Sequence, residues 1–155
     1  MNFFKLITSI VVCELAGTLG SIFTMSQITT WYATLNKPTL NPPAWIFAPV
    51  WTTLYFLMGV SAYLIWNKGL DRKDVKIALI VFGIQLALNV LWSIFFFGIH
   101  NPALAFLDIV LLWISILSTI FIFYKISPTA AYLLVPYIIW VSFASYLNYS
   151  IWVLN

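Results

Sequence analysis

The sequence predicts an all-α integral membrane protein, a bundle of five transmembrane helices with a lid-like first loop. Three observations predict it. Of 155 residues, 63% are apolar and 7% are charged, against about 45–50% and about 25% in an ordinary soluble domain. The apolar residues gather into five runs, each close to the roughly 20 residues that a helix needs to cross the hydrocarbon. Asn, Asp, Ser and Pro stand between the runs, at the places where helices start. So apolar a chain cannot clothe itself in polar surface, which excludes a soluble enzyme, a disordered tail and a nucleic-acid binder. A net charge of +3 spread along the chain is not a phosphate-binding patch.

The five spans are read at 4–25, 44–67, 76–98, 103–125 and 129–152, and they leave a single domain, 1–155. Lys5 stands at the start of the first. A signal-peptide cut after Ala16 would set Glu14 where a small residue is required, so this helix is expected to be retained. Asn41-Pro42-Pro43 precedes the second span and the stretch from Asp71 to Asp74 the third. Asn101-Pro102 precedes the fourth and Ser127-Pro128 the fifth. Each pairing offers a cap for the new helix. Five crossings put Lys5, Lys68, Arg72, Lys73, Lys76 and Lys125 on the N-terminal side and Lys37 alone on the other. That imbalance predicts a cytoplasmic N-terminus and an external C-terminus.

The longest connection, Ser26 to Pro43, reads SQITTWYATLNKPTLNPP. Its prolines stiffen a backbone that cannot continue as helix, and Trp31 and Tyr32 suit either a packed cap or interfacial anchors. Trp31, Trp45, Trp66 and Trp152 fall at membrane edges, where an aromatic belt accounts for them. Trp51, Trp92, Trp113 and Trp140 do not. At 1.5 Å per residue, Trp51 and Trp92 lie about 10 Å below the outer edge and Trp140 about 18 Å, where all could line one cavity or serve as tight helix packing.

Helical phase groups these rings with polar side chains. Gln85, Asn89, Trp92 and Phe96 share a face of the third span. Trp51, Tyr55 and Met58 share one on the second, and Trp140, Phe143, Ala144 and Leu147 one on the fifth, a turn beyond Pro136. An amide within hydrocarbon needs a partner, which a neighbouring helix or a ligand can supply. Aromatic walls carrying a few amides suit a flat, mostly apolar guest. Gly83 and Ala87 lie about 200° around the axis from Gln85 and, with Gly17, Gly20 and Ser21 on the first helix, allow close helix approach, within the bundle or between copies.

Glu14 and Asp108 are acids inside spans, expected to face the bundle, protonated or hydrogen-bonded. One Cys, Cys13, and one His, His100, exclude a disulfide framework and clustered metal sites. His100, in a turn, is read as structural rather than as an iron ligand. No nucleophile–base pair or phosphate loop is present.

The run WYATLNKPTLNPPAWIFAPVWTTLYFLMG (Trp31–Gly59) resembles the signature of the TspO/MBR family, the tryptophan-rich translocator or peripheral benzodiazepine receptor proteins. The likeness continues through QLALNVLWSIFFFG, LAFLDIVLL and SPTAAYLLVPYIIWVSFASYLNYSIW, nearly the whole chain in order. The resemblance implies a five-helix bundle, often a homodimer, in a microbial plasma membrane, for which the small-residue spacing of Gly83 and Ala87 offers a candidate contact. It implies binding of porphyrins, protoporphyrin IX and haem among them, with no obligatory cofactor and no metal. Tyr32, Pro42, Trp51, Asn89, Trp92 and Trp140 match the family's pocket residues. Trp51 and Trp140 match the pair tied to light- and oxygen-dependent porphyrin breakdown. Leu147 and Tyr149 match a sterol motif whose basic residue is missing here, which counts against sterol binding and for a microbial member.

A porphyrin-binding sensor in the membrane is therefore expected, with ligand contacts at Tyr32, Pro42, Trp51, Tyr55, Asn89, Trp92, Trp140, Phe143, Ala144 and Leu147. Porphyrin breakdown through Trp51 and Trp140 is the alternative chemistry. Transport ranks last, because the inner half of the spans is poor in polar residues beyond Thr8 and Tyr63.

Overall fold

A computed structural model describes residues 1–155. Five helical spans are long and apolar enough to cross a membrane. Helix α1 (Phe3–Ile28) starts at Asn2, whose side chain accepts a hydrogen bond from the Lys5 amide at 3.2 Å. The lid follows, with a one-turn helix α2 (Trp31–Thr34), an extended proline-rich stretch and a tight 3-10 turn at Ala44–Ile46. Then come α3 (Phe47–Trp66), α4 (Lys73–Ser93), a wide π-helical turn at Ile94–Gly98, α5 (Pro102–Ile126), α6 (Pro128–Leu133) and α7 (Val135–Leu154).

Two of the four expected caps form. Asn101 accepts from the Leu104 amide at 3.0 Å, and Ser127 from the Ala130 amide at 3.5 Å, each with Pro at the first helical position. The other two polar residues are used elsewhere. Asp74 sits inside the first turn of α4, accepts from the Val75 amide and pairs with Arg72 at 2.6 Å. Asn41 turns into the lid. The fifth span is interrupted at Leu134, because Pro136 offers no amide hydrogen and its ring crowds the carbonyl four residues earlier.

The spans close a ring. α1 packs on α3 and α4, α4 on α5, and α5 on α6 and α7, while α3 meets the fifth span chiefly through α6. Ser61 Oγ donates to the Ala130 carbonyl at 2.7 Å and pins that contact. Glycine sets the α1–α3 distance: a Cβ on Gly59 would lie 2.5 Å from the Ile10 Cα. A Cβ on Gly17 would meet the Tyr55 ring, so the small strip of α1 serves packing within the bundle. Gly83 is different, since it is exposed and a Cβ there meets nothing within 4 Å.

The main core fills the half of the bundle away from the lid, with Met58, Ile65, Val75, Ala78, Ile116 and Phe123 fully enclosed. A smaller aromatic core, centred on Tyr32, Phe96 and Phe97, lies directly under the lid. Trp92 packs against both.

Candidate ligand site beneath the lid

The lid is a packed cap. Trp31 stacks on His100, with ring centres 4.3 Å apart and planes 12° apart, and meets Phe96 edge-on at 5.6 Å. Tyr32 is buried against Phe96 and Phe97 and donates its phenol hydrogen to Asn41 Oδ1 at 2.9 Å. Lys37 Nζ stands 4.8 Å over the Tyr32 ring and donates to the Leu35 carbonyl. Three further bonds tie the lid to the end of α7. The Asn36 amide donates to Asn155 Oδ1, Asn36 Nδ2 to the Leu154 carbonyl, and Asn155 Nδ2 to the Asn36 carbonyl, at 2.9–3.3 Å. His100, at φ 57°, bonds Gln27 through Nε2 and is a structural support of the lid. The π-helical turn lets consecutive Phe96 and Phe97 both point under it.

Polar side chains form a floor midway down. Tyr55 Oη donates to Asn89 Oδ1, Asn89 Nδ2 to Tyr137 Oη at 2.7 Å, and Tyr137 Oη to Gln85 Oε1 at 2.8 Å. This chain joins α3, α4 and α7. The buried amides of Asn89 and Gln85 therefore have neighbouring-helix partners in hand. Nearer the lid, the Trp92 indole donates to Asn148 Oδ1 and Asn148 Nδ2 to the Pro102 carbonyl, both at 2.8 Å.

Between floor and lid, Trp51, Asn89, Trp92, Ile109, Val141 and Ala144 line a cavity of about 10 Å³, room for roughly one water. Trp51 stacks on Tyr55 at 5.7 Å and meets Tyr137 edge-on. Trp140 and Phe143 were expected in this cavity and are not among its lining residues. They line a separate groove of about 500 Å³ on the outside of the bundle, with Val50, Leu54 and Ile139. Trp140 lies against Phe47 at 6.1 Å and Phe143 at 5.6 Å, and its indole nitrogen is buried without a hydrogen-bond partner. Leu147 is buried but borders neither space, and Pro42 is half-buried in the lid. Trp113 takes no part, since its indole donates to Ser142 Oγ between α5 and α7.

The inward face of α7 runs through Tyr137, Val141, Ala144, Asn148 and Ile151, rotated about 70° on an ideal helix from the expected face. Tyr137 and Asn148 were missed by sequence reasoning that followed ring size. Polarity was the better signal, because an amide that faces lipid has no partner. The two acids separate. Asp108 is buried on α5, and its Oδ2 has no partner. Glu14 is half-buried, and its carboxylate makes no hydrogen bond. No group of three or more His, Cys, Asp or Glu side chains is placed to hold a metal ion.

Comparison with known proteins matches residues 9–153 to the model of the TspO/MBR family. A tryptophan-rich protein TspO of Archaeoglobus fulgidus is 45% identical over all of this chain and 99% of its own length. One of Chlorobaculum tepidum is 46% identical over 92% of this chain and 90% of its own length. The translocator protein of Bos taurus is 41% identical over 90% and 83% respectively.

Proposed function

The chain belongs to the TspO/MBR family, and from that premise we propose that it is a membrane receptor or sensor that binds porphyrins, protoporphyrin IX or haem, beneath its lid. The observation that carries this reading is the meeting of Trp51, Asn89 and Trp92 from two spans around one cavity, with Trp140 on the neighbouring groove. Indole faces and phenols stack well on a planar, apolar ring. The ring's acidic substituents would face the lid, where Lys37 is the one nearby cation. Tyr32 and Pro42 cover the site from above. Ala144 belongs to its α7 wall and Tyr55 to its floor, while Phe143 and Leu147, also expected as contacts, lie outside the cavity.

The test is a titration of the purified protein with protoporphyrin IX, followed by quenching of porphyrin and indole emission. Trp51→Phe, Trp140→Phe and Asn89→Ala should each weaken binding by about tenfold, the loss of roughly 1.4 kcal/mol of stacking or polar contact. Unchanged affinity in all three would refute the site.

A second reading is light- and oxygen-dependent breakdown of the bound ring. The stacked pair Trp51 and Tyr55 favours it, because two oxidisable rings lie in contact beside the cavity. Porphyrin and oxygen would supply the reactivity and the protein the position. Bleaching under light that is equally fast in the Trp51→Phe, Trp140→Phe double variant would reject a protein-directed reaction. Transport is not favoured, since the half away from the lid is filled by buried side chains. Exposed Gly83 and Ala87 are the proposed contact of a homodimer. The excess of basic residues on one side supports a cytoplasmic N-terminus in a plasma membrane.

A further inference from the structure

The interior cavity and the outer groove are back to back on the same helices. On α3, Val50 and Leu54 face the groove and Trp51 the cavity. On α7, Ile139 and Trp140 face the groove and Val141 the cavity. Their sizes differ fifty-fold, about 10 Å³ against about 500 Å³. The larger falls within the roughly 300–1,000 Å³ usual for small-molecule sites. The groove exists because α3 meets the fifth span through α6 at the end away from the lid, and side-chain rings bridge the gap nearer the lid: Phe47 to Trp140, and Trp51 to Tyr137. Ile139, 63% exposed, leaves the groove open toward lipid.

A planar macrocycle cannot enter a space the size of one water unless something moves. Raising the lid breaks the three bonds between Asn36 and the end of α7 and uncovers the Trp31–His100 stack. Turning one indole at Trp140 breaks no hydrogen bond, because its N–H has no partner. A buried donor left in that state is costly, and a porphyrin nitrogen or carboxylate would satisfy it.

We propose that the α3–α7 groove is a lateral portal through which a flat, largely apolar macrocycle passes from the bilayer past Trp140 into the site beneath the lid. This rests on the porphyrin reading above and adds the route. The occupant is membrane-dissolved ligand, matched to the groove by its apolar walls, its volume and its place directly behind the site on α3 and α7.

The test uses the full chain in liposomes, with protoporphyrin IX delivered in lipid and its emission followed in time. Ile139→Trp, and separately Val135→Trp at another residue of the groove wall, fill the groove without touching the site. Each should slow association and dissociation alike by about tenfold or more, leaving the equilibrium affinity within about threefold. A lid closed by cross-linking Asn36→Cys to Asn155→Cys should load within about twofold of the same protein uncross-linked. Rates limited by the cross-link and indifferent to both groove variants would overturn the portal while leaving the site intact, as expected of a groove that merely holds acyl chains. High-yield disulfide dimers through Ile139→Cys would show a second copy covering the groove, and would also overturn it. Absence of binding by the unsubstituted protein would instead refute the site itself, and the portal with it.

Discussion

The two halves of this bundle are built from the same apolar alphabet and packed in opposite ways. Away from the lid, aliphatic and small side chains such as Ile65, Val75, Ala78, Ile116 and Ala130 close on one another with no exposed surface. Toward the lid, large rings with polar tips take over, and they leave a cavity, an open groove and two polar atoms without partners, Asp108 Oδ2 and Trp140 Nε1. The Tyr55–Asn89–Tyr137–Gln85 chain is the boundary. Helices in lipid gain no hydrophobic energy from meeting, so close packing must hold them. One half therefore supplies stability, and the other is free to be imperfectly filled.

The largest effect should come from damaging the solid half. Gly59→Val places side-chain atoms against the Ile10 backbone, which cannot move aside. The cost should reach or pass the upper end of the about 1–3 kcal/mol typical of overpacking. Gly83→Val, on the open face of α4, should leave the stability of the monomer nearly unchanged and act only on self-association. Thermal loss of the monodisperse species in detergent, with cross-linking for the dimer, checks both. Equal destabilisation by the two would show that the α1–α3 seam at Gly59 is no more closely packed than the open face of α4.

Next comes the boundary. Asn89→Leu leaves the Tyr55 hydroxyl buried without its acceptor, while Tyr137 keeps Gln85. A loss of about 1–2 kcal/mol is expected, and a cycle with Tyr55→Phe should recover a coupling near the average of about 0.6 kcal/mol, and no more than the maximum of about 1.7, found between membrane helices. No coupling would mean that the chain is not the joint between halves.

How far the sequence made this legible follows from which constraints act locally. The five spans are plain, because each must supply an uninterrupted apolar run to cross the hydrocarbon. The lid is legible only in part: Pro38, Pro42 and Pro43 keep the connection out of regular helix, while Trp31 and Tyr32 read equally as a packed cap or as interfacial anchors. The faces of α3 and α4 come out correctly, as Tyr55, Gln85 and Asn89 point inward. The face of α7 does not, because Trp140 and Phe143 attract attention by size while Tyr137 and Asn148 carry the inward bonds. The turn at Ile94–Gly98 has no local signature, and the break at Leu134 is announced only by Pro136. The split between cavity and groove depends on how far α3 and α7 diverge, a tertiary fact that no periodicity encodes.

The lid offers a milder perturbation. Asn155→Ala removes two side-chain bonds to Asn36 at an exposed site and leaves Asn36 Nδ2 on the Leu154 carbonyl. Global stability should fall by less than about 0.5 kcal/mol. Amide exchange across 29–43 should nevertheless quicken several-fold, while exchange in α3 and α5 of the solid half stays unchanged.

The effect confined to one ring, and the sharpest on the lid's packing, concerns Tyr32. Burial pushes its phenol above the ordinary value of 10.0. The closed lid thus holds the proton more firmly than an open one does. Its contribution is complete below the ordinary phenol range and is lost as pH climbs through the raised value. Tyr32→Phe deletes one bond to Asn41, worth about 0.5–1.5 kcal/mol of lid closure, and abolishes the alkaline limb. The difference between the alkaline absorbance titrations of the unsubstituted protein and the variant isolates this one phenol. A titration displaced upward places the ring inside the aromatic core with Phe96 and Phe97, sealed under Lys37. A phenol titrating as in water would mean that the cap stands open, and the contrast between a filled half and a covered, hollow one would lose its upper wall.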